Sequence, residues 1–492
     1  MDRNETGRPG CDLPGEPAAL VAVLGDWMRG PGPLYRKLAA ALARAVRRGD
    51  LRPGERLPSE RALAAALSLS RATVSTAYEE LRGPGVLDSL RGSGTRVAGP
   101  PLGQRPPGAD GRVPGGRATS LVQRLVDGPE GPGGVISLAT ASAGAVPQVR
   151  EALLELAGRD LDPLLTDIGY HPRGLPALRE ALAAHCSEGG TPTSPGQVLV
   201  TTGATQALAL VARLYLRRRD TVVVEQPSWP GCLDAFRALG VSLHGVPMDE
   251  DGVRPDALDR ALRDRAPALL FVMPTYHNPT GTLMSGGRRR RVAELAARHR
   301  VPVVEDLAYD ARFSTLAEPP PIGAHAGRDA EVLSVGSLAK SVWGGLRIGW
   351  IRGPEQTVER LARLKTLADL GGPVLEQVLA ARLVPQLPGI RVQRAAELRE
   401  RLAWLERLLA EHLPSWRWRT PDGGSALWVR LPDEVDAGVY AQVALRHGVE
   451  VVPGAAMDPE GAYDSHIRVP YTLPLPTLTE LVRRLAAAWD DL

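Results

Sequence analysis

From Val135 onward the chain alternates two kinds of pattern. Short apolar runs rich in β-branched residues, QVLVTT, TVVVEQ, ALLFVMP, VPVVED and EVLSVG, are separated by longer stretches whose apolar residues return at helical spacing. Strands separated by helices predict a mostly parallel sheet covered by helices, an α/β architecture. The last hundred residues mix helical stretches such as RAAELRERLAWLERLLAEH with shorter strand candidates, ALWVRL and HIRVPY. They predict a smaller α+β part.

Upstream the pattern differs. Leu34, Leu38, Leu42 and Val46 at fourfold spacing predict a helix closed by Gly49. Two more helices follow, with Ser59 and Ser70 placed to accept N-cap hydrogen bonds. LDSLRGSGTRVAG then offers two short strand segments around a glycine-rich tip. Three helices and a hairpin predict a winged helix-turn-helix over residues 31–98; by pattern alone a helical oligomerisation module stays open. The elements G-D-L-x-P-G-E-R-L-P-S-E-R, S-R-A-T-V-S-x-A-Y-E-E-L and R-G-S-G-T-x-V resemble the winged-helix domain of GntR-type bacterial regulators. In such a motif the first residues of the second helix of the turn meet base edges in the major groove, while phosphate contacts fix the register. Arg71, Ala72, Thr73 and Ser75 occupy that start, Ser75 standing where the family often has arginine. The resemblance implies base or phosphate contacts for Arg61 and Arg71, and sets the wing tip Arg91, Gly92 and Ser93 against the minor groove or backbone.

Composition sharpens this division. Over 492 residues, 59 basic side chains face 56 acidic ones, which excludes a globally basic nucleic-acid coat. Residues 30–100, however, hold twelve Arg or Lys and six Asp or Glu, a local balance of +6. Residues 99–120 contain six Gly and five Pro without hydrophobic periodicity, and reading on to Gly134 gives an expected linker over 99–134. Residues 1–30 are expected as a tail, and 135–492 as the second domain, with a large part at about 165–385 and a small part from 135–164 and 386–492. No window approaches eighteen consecutive apolar residues and no signal pattern opens the chain, so a cytoplasmic protein without membrane contact is expected. Cys11, Cys186 and Cys232 lack paired spacing, which argues against disulfides or a zinc site. Of the 59 basic residues only Lys37, Lys340 and Lys365 are lysines. Chemistry that needs a primary amine has three candidates.

Several motifs fall at the ends of the predicted strands, where open α/β sheets bind ligands. SVGSLAKSVWGGLRIGW places the Ser337 hydroxyl three residues before the Lys340 amine and Arg347 seven after it, as suits a Schiff-base lysine beside a phosphate anchor. TTGATQAL follows a strand and opens a helix, so backbone N–H groups around Gly203, Ala204 and Thr205 can bind phosphate. EQPSWPG supplies Trp229, a ring able to stack on a pyridine; YHNPTG supplies Asn278; VVEDLAY supplies Asp306 and Tyr309. Jointly these residues resemble the site of fold-type I pyridoxal-phosphate (PLP) enzymes of the class I and II aminotransferase group. The resemblance assigns Lys340 to the internal aldimine, Asp306 to the pyridine nitrogen, and Asn278 and Tyr309 to the phenolic oxygen. It assigns Ser337 and Arg347 to the phosphate beside Ala204 and Thr205, sends Tyr170 to the phosphate of the partner subunit, and makes Arg468 the clamp for a carboxylate. One departure concerns the substrate mouth, which here reads VISLATASAGAVPQ.

A GntR-type winged helix, a linker and an aminotransferase-like domain are together the layout of the MocR-type regulators. That resemblance implies a head-to-tail homodimeric transcription factor, bound to a double-stranded DNA operator, that senses PLP or an amine or amino-acid effector. The same residues serve aldimine exchange and full transamination, so a working aminotransferase with an accessory DNA-binding domain stays open.

Overall fold

The computed structural model describes residues 17–28, 32–48, 50–51, 54–83, 85–90, 94–98, 130–131, 134–309, 312–313, 318–327, 330–432 and 435–492. They divide into two compact units: Met1–Ser137 with Gly438–Glu450 and Ala488–Leu492, and Leu138–Ala437 with Val451–Ala487. No described helix is long and apolar enough to cross a membrane.

The first unit opens with α1 (Pro17–Leu24), α2 (Leu34–Arg48), α3 (Glu60–Ala66) and α4 (Arg71–Arg82), followed by β1 (Leu87–Leu90) and β2 (Gly94–Val97). Ser59 Oγ accepts from Ala62 N at 3.2 Å and Ser70 Oγ from Thr73 N at 3.1 Å, so both predicted caps hold a helix start. β1 and β2 pair antiparallel, Leu87 opposite Val97 and Leu90 opposite Gly94. Leu38, Leu42, Leu63, Val74, Tyr78 and Leu81 close the core between the helices. The expectation of a tail over 1–30 needs correction, because Leu20, Leu24 and Trp27 are buried in the same core and Trp27 Nε1 donates to Gln442 Oε1 at 3.1 Å. The segment PAALVAVL is apolar on every side and carries no helical period; only its packing partners reveal it.

Within the expected linker, residues 99–129 and 132–133 lie outside the described residues. The short β3 (Glu130–Gly131) pairs antiparallel with β4 (Val135–Ser137), which also pairs in parallel with Val449–Glu450.

The second unit is built on an eight-stranded sheet: β5 (Val198–Thr201), β6 (Thr221–Gln226), β7 (Ser242–Asp249), β8 (Gly252–Val253), β9 (Leu269–Val272), β10 (Val303–Asp306), β11 (Val332–Ser337) and β12 (Gly349–Arg352). Their order is β5-β12-β11-β10-β9-β6-β7-β8. The inner strands β11, β10, β9, β6 and β7 run parallel, and β12 enters antiparallel between β11 and β5. β5, β9, β10 and β11 are buried at every position, which explains why they read as unbroken apolar runs. Alternate residues feed two cores on opposite faces: Val222, Val224, Leu269 and Phe271 on one, Val223, Leu270 and Val272 on the other. The helices α5 (Ala204–Tyr215) and α6 (Glu355–Asp369) cover the first of these faces. A four-stranded sheet ordered Arg417–Trp418, Ala426–Arg430, His466–Pro470, Val452–Pro453 forms the smaller α+β part.

Candidate functional site

The first unit presents the start of α4 to solvent. Arg61, Arg71 and Ala72 are exposed, and Thr73 is half-buried, its amide and hydroxyl both engaged by Ser70. Arg71 Nε donates to Glu60 Oε2 at 3.3 Å, and the half-buried Ser75 donates its hydroxyl to Glu60 Oε1 at 3.3 Å. Glu60 therefore holds two of the expected contact residues, a role that the spacing of the motif does not disclose. An exposed pair of this kind contributes about 0–1 kcal/mol, so little energy holds Arg71 in this pairing. The wing-tip residues Arg91, Gly92 and Ser93 lie outside the described residues.

The second unit gathers the chemistry at one edge of the large sheet. Asp306 ends β10, Ser337 ends β11, and Thr201 ends β5 just before the turn that opens α5. Because β12 runs antiparallel, its first residue Gly349 sits beside both Ser337 and Thr201. A Cβ on Gly349 would come within 2.7 Å of Gly203 Cα, so only glycine lets the two turns approach. Gly203 itself has φ +104, a backbone region open to glycine, and no side chain caps α5. Its first amides, at Ala204 and Thr205, thus head a helix with its positive end free for an anion. Arg347 Nη2 donates to Thr202 O at 2.7 Å and lies close to Gly203. Ser337 Oγ accepts from Ala339 N at 3.2 Å at the other side of this edge.

Lys340 stands in a helical turn just after β11 and donates from Nζ to Ala141 O at 2.6 Å and to Ser142 Oγ at 3.0 Å. Its ammonium lies 5.3 Å from the centre of the Tyr309 ring. Tyr309 Oη accepts from Asn278 Nδ2 at 3.1 Å, and Asn278 Oδ1 accepts from Arg468 Nη1 at 3.5 Å. Arg468 is buried and also donates through Nη2 to Leu138 O at 2.9 Å and to Ala139 O at 2.7 Å. Burial pulls its guanidinium below the ordinary value, with Tyr309 opposing. Its buried Nε has no hydrogen-bond partner among the described residues.

Asp306 is buried, and desolvation pushes its carboxyl up to about 6 against the opposing effects of the Ala308 amide and Lys340. Ala308 N donates to Asp306 Oδ1 at 2.9 Å. A carboxylate in this state gains from a cationic partner. Trp229 packs with Ala204 against the core on the face covered by α5. Tyr170 is 63% exposed on the surface of its unit, and the fold of a single chain does not bring it to the Lys340 cleft.

The cleft is lined by Ala141, Ser142, Ala143, Tyr309, Lys340 and Thr472, among others. Sequence reasoning marked VISLATASAGAVPQ only as a departure. In the structure this segment touches two of the site's cations, through Leu138 and Ala139 to Arg468 and through Ala141 and Ser142 to Lys340. Backbone carbonyls make most of these contacts, so side-chain identity carries little signal of them. Beside Asn278 lies a second group to which the motifs assign no role. Glu225, pushed up by burial to about 8, and His277, pulled down by burial to about 3, approach to 3.5 Å with both side chains enclosed.

The donor set suits PLP: free amides and an arginine for a phosphate, a buried carboxyl for a pyridine nitrogen, two hydroxyl or amide groups near an amine, and an under-satisfied guanidinium for a carboxylate.

Comparison with known proteins agrees with both units. Residues 138–485 match the model for aminotransferase class I and II, and residues 34–97 that for bacterial regulatory proteins of the gntR family. An uncharacterized HTH-type transcriptional regulator of Bacillus subtilis, YisV, is 31% identical over 89% of this chain and 92% of its own length. The probable rhizopine catabolism regulatory protein MocR of Rhizobium meliloti is 28% identical over 86% of each chain. Among solved structures, the α-aminoadipate aminotransferase of Thermus thermophilus, complexed with N-(5'-phosphopyridoxyl)-L-leucine, aligns with a TM-score of 0.67 at 28% identity, covering 73% of this chain and 93% of that one.

Proposed function

The chain belongs to the MocR-type regulators, a gntR-family winged helix joined to an aminotransferase class I and II domain, and on that premise we propose that its second unit binds PLP at Lys340 and senses PLP or an amine or amino acid. It is a DNA-binding transcriptional regulator, and its aminotransferase family uses PLP. The observation that carries the sensing reading is the hydrogen-bonded series from Arg468 through Asn278 to Tyr309, with the Lys340 ammonium over the Tyr309 ring.

When bound, PLP supplies an aldehyde that condenses with amines and a ring that withdraws electrons. Asp306 holds a proton at the ring nitrogen, and the ion pair so formed relieves the cost of its burial. Asn278 and Tyr309 orient the ring through its phenolic oxygen. The amides at Gly203, Ala204 and Thr205, with Arg347 and Ser337, bind the phosphate. Lys340 Nζ must leave Ala141 O and Ser142 Oγ and give up a proton to solvent to become a nucleophile. Arg468 accepts an effector carboxylate in a bidentate fork by giving up Leu138 O and Ala139 O. Each exchange loosens the segment Leu138–Ser142, and its differential contacts in the two states are what bias the regulator.

Aminotransferase-like domains are typically dimeric. A head-to-tail homodimer in the cytoplasm, with Tyr170 reaching the partner's phosphate, completes the proposal; Leu165, Ile168 and Tyr170, close in sequence and each exposed, support a second copy at this segment. Absorbance and DNA titration test the reading. The native chain mixed with PLP is expected to gain a visible band that Lys340→Ala lacks, and an effector amine to change DNA affinity in the native chain alone. Identical spectra, or DNA affinity unmoved by PLP and by a panel of amines and amino acids, would overturn it.

A further inference from the structure

The anion-binding turn before α5 is held from behind by groups to which the motifs assign no role. Gln206 Oε1 accepts from Thr202 N at 2.9 Å. Gln206 Nε2 in turn donates to Asp369 Oδ2 at 2.8 Å, and Asp369 Oδ1 accepts from Lys365 Nζ at 2.8 Å. Lys365 is 1% exposed, a buried ammonium on a helix whose sequence reads as a charged surface.

Helix energetics do not account for this arrangement. Asp369 is the last residue of α6, where the negative end of the helix dipole disfavours a carboxylate. Lys365 precedes it by four residues, the weaker order for such a pair. Burying the ammonium adds a desolvation cost that only a close counter-charge offsets. The arrangement makes sense through Gln206. A carboxylate only accepts hydrogen bonds, so Asp369 takes the nitrogen end of the Gln206 amide and turns its oxygen toward Thr202. The Thr202 peptide is then clamped on both sides, its N–H by Gln206 and its carbonyl by Arg347 at 2.7 Å. A fixed Thr202 sets the directions of the amides that follow it at Gly203, Ala204 and Thr205, and donors set in advance do not have to be ordered when an anion arrives.

We propose that Lys365, Asp369 and Gln206 are a positioning relay that orients the amides of this turn for a phosphate monoester. The inference rests on the PLP reading above and adds the residues that make the site selective for the phosphate of its ligand. None of the three touches that ligand.

The test compares two probes, PLP and pyridoxal, which lacks the phosphate. Affinity of each is measured by absorbance titration for the native chain, Gln206→Met and Asp369→Asn. Gln206→Met is expected to weaken PLP about tenfold, the net size of one hydrogen bond, and to leave pyridoxal within about twofold. Asp369→Asn is expected to weaken PLP about threefold with the same selectivity, since it keeps an acceptor and loses the charge. Gln206→Met carries the measurement if Asp369→Asn, which strips Lys365 of its counter-charge, fails to fold. Equal weakening of both probes, as a merely structural role would produce, overturns the relay, and so does no weakening of either. A native chain that binds neither probe overturns the PLP reading itself, and the relay with it. A native chain that binds PLP while the variants keep its preference over pyridoxal overturns the relay alone.

Discussion

Asn278 donates its side-chain amide to the Tyr309 hydroxyl at 3.1 Å, while its carbonyl faces the buried Arg468 at 3.5 Å. One short side chain thus couples the group expected at the phenolic oxygen to the group expected at the effector carboxylate. Asn278→Ala is expected to weaken both PLP and amino-acid binding, and to lower stability by about 1–3 kcal/mol because a buried guanidinium loses an acceptor. Thermal melting and two separate titrations measure the three effects.

Arg468→Lys keeps the charge but loses the fork. The spectral response of the PLP-loaded protein to amino acids is expected to fall about tenfold or more in affinity, while its response to amines without a carboxylate stays near the native value. Equal losses for the two ligand classes would remove Arg468 from carboxylate recognition.

Asp306 gives a pH dependence with a definite sign. Its folded value is raised by burial from 3.8 to about 6, so between those values the native state holds more protons than the unfolded one. Stability from this group is therefore fully present below pH 3.8 and is lost as pH rises through about 6, a change of about 3 kcal/mol. In the PLP-free protein, Asp306→Asn is expected to be the more stable form at pH 8, with the advantage shrinking toward pH 4. Urea unfolding at several pH values reads this directly, and the same variant is expected to bind PLP poorly.

At the DNA face, Arg71→Ala is expected to weaken binding and reduce the slope of log affinity against log salt by about one. Glu60→Gln removes the carboxylate beside Arg71 and Ser75 and is expected to strengthen binding to unrelated duplexes. A salt series with a selected duplex and a scrambled one separates the two effects.

Much of the molecule is legible along the chain. The buried strands announce themselves as unbroken apolar runs, because both faces of the sheet are covered. The caps Ser59 and Ser70, the turn TTGATQAL and the placement of Lys340 depend on neighbours within a few residues, and local chemistry reveals them. The α1 helix is illegible, since PAALVAVL has no polar face to set a period.

Sequence alone determined that the chain has only three lysine amines, and that one of them follows an apolar run and stands between Ser337 and Arg347. Tertiary structure decided what surrounds each of the two in the second unit. Lys340 is met by a backbone carbonyl and a hydroxyl from a segment almost two hundred positions away, and Lys365 is enclosed against Asp369 rather than left on a solvated helix. Carbonyl contacts do not depend on residue type and burial depends on what packs from elsewhere in the chain, so neither leaves a mark in local pattern.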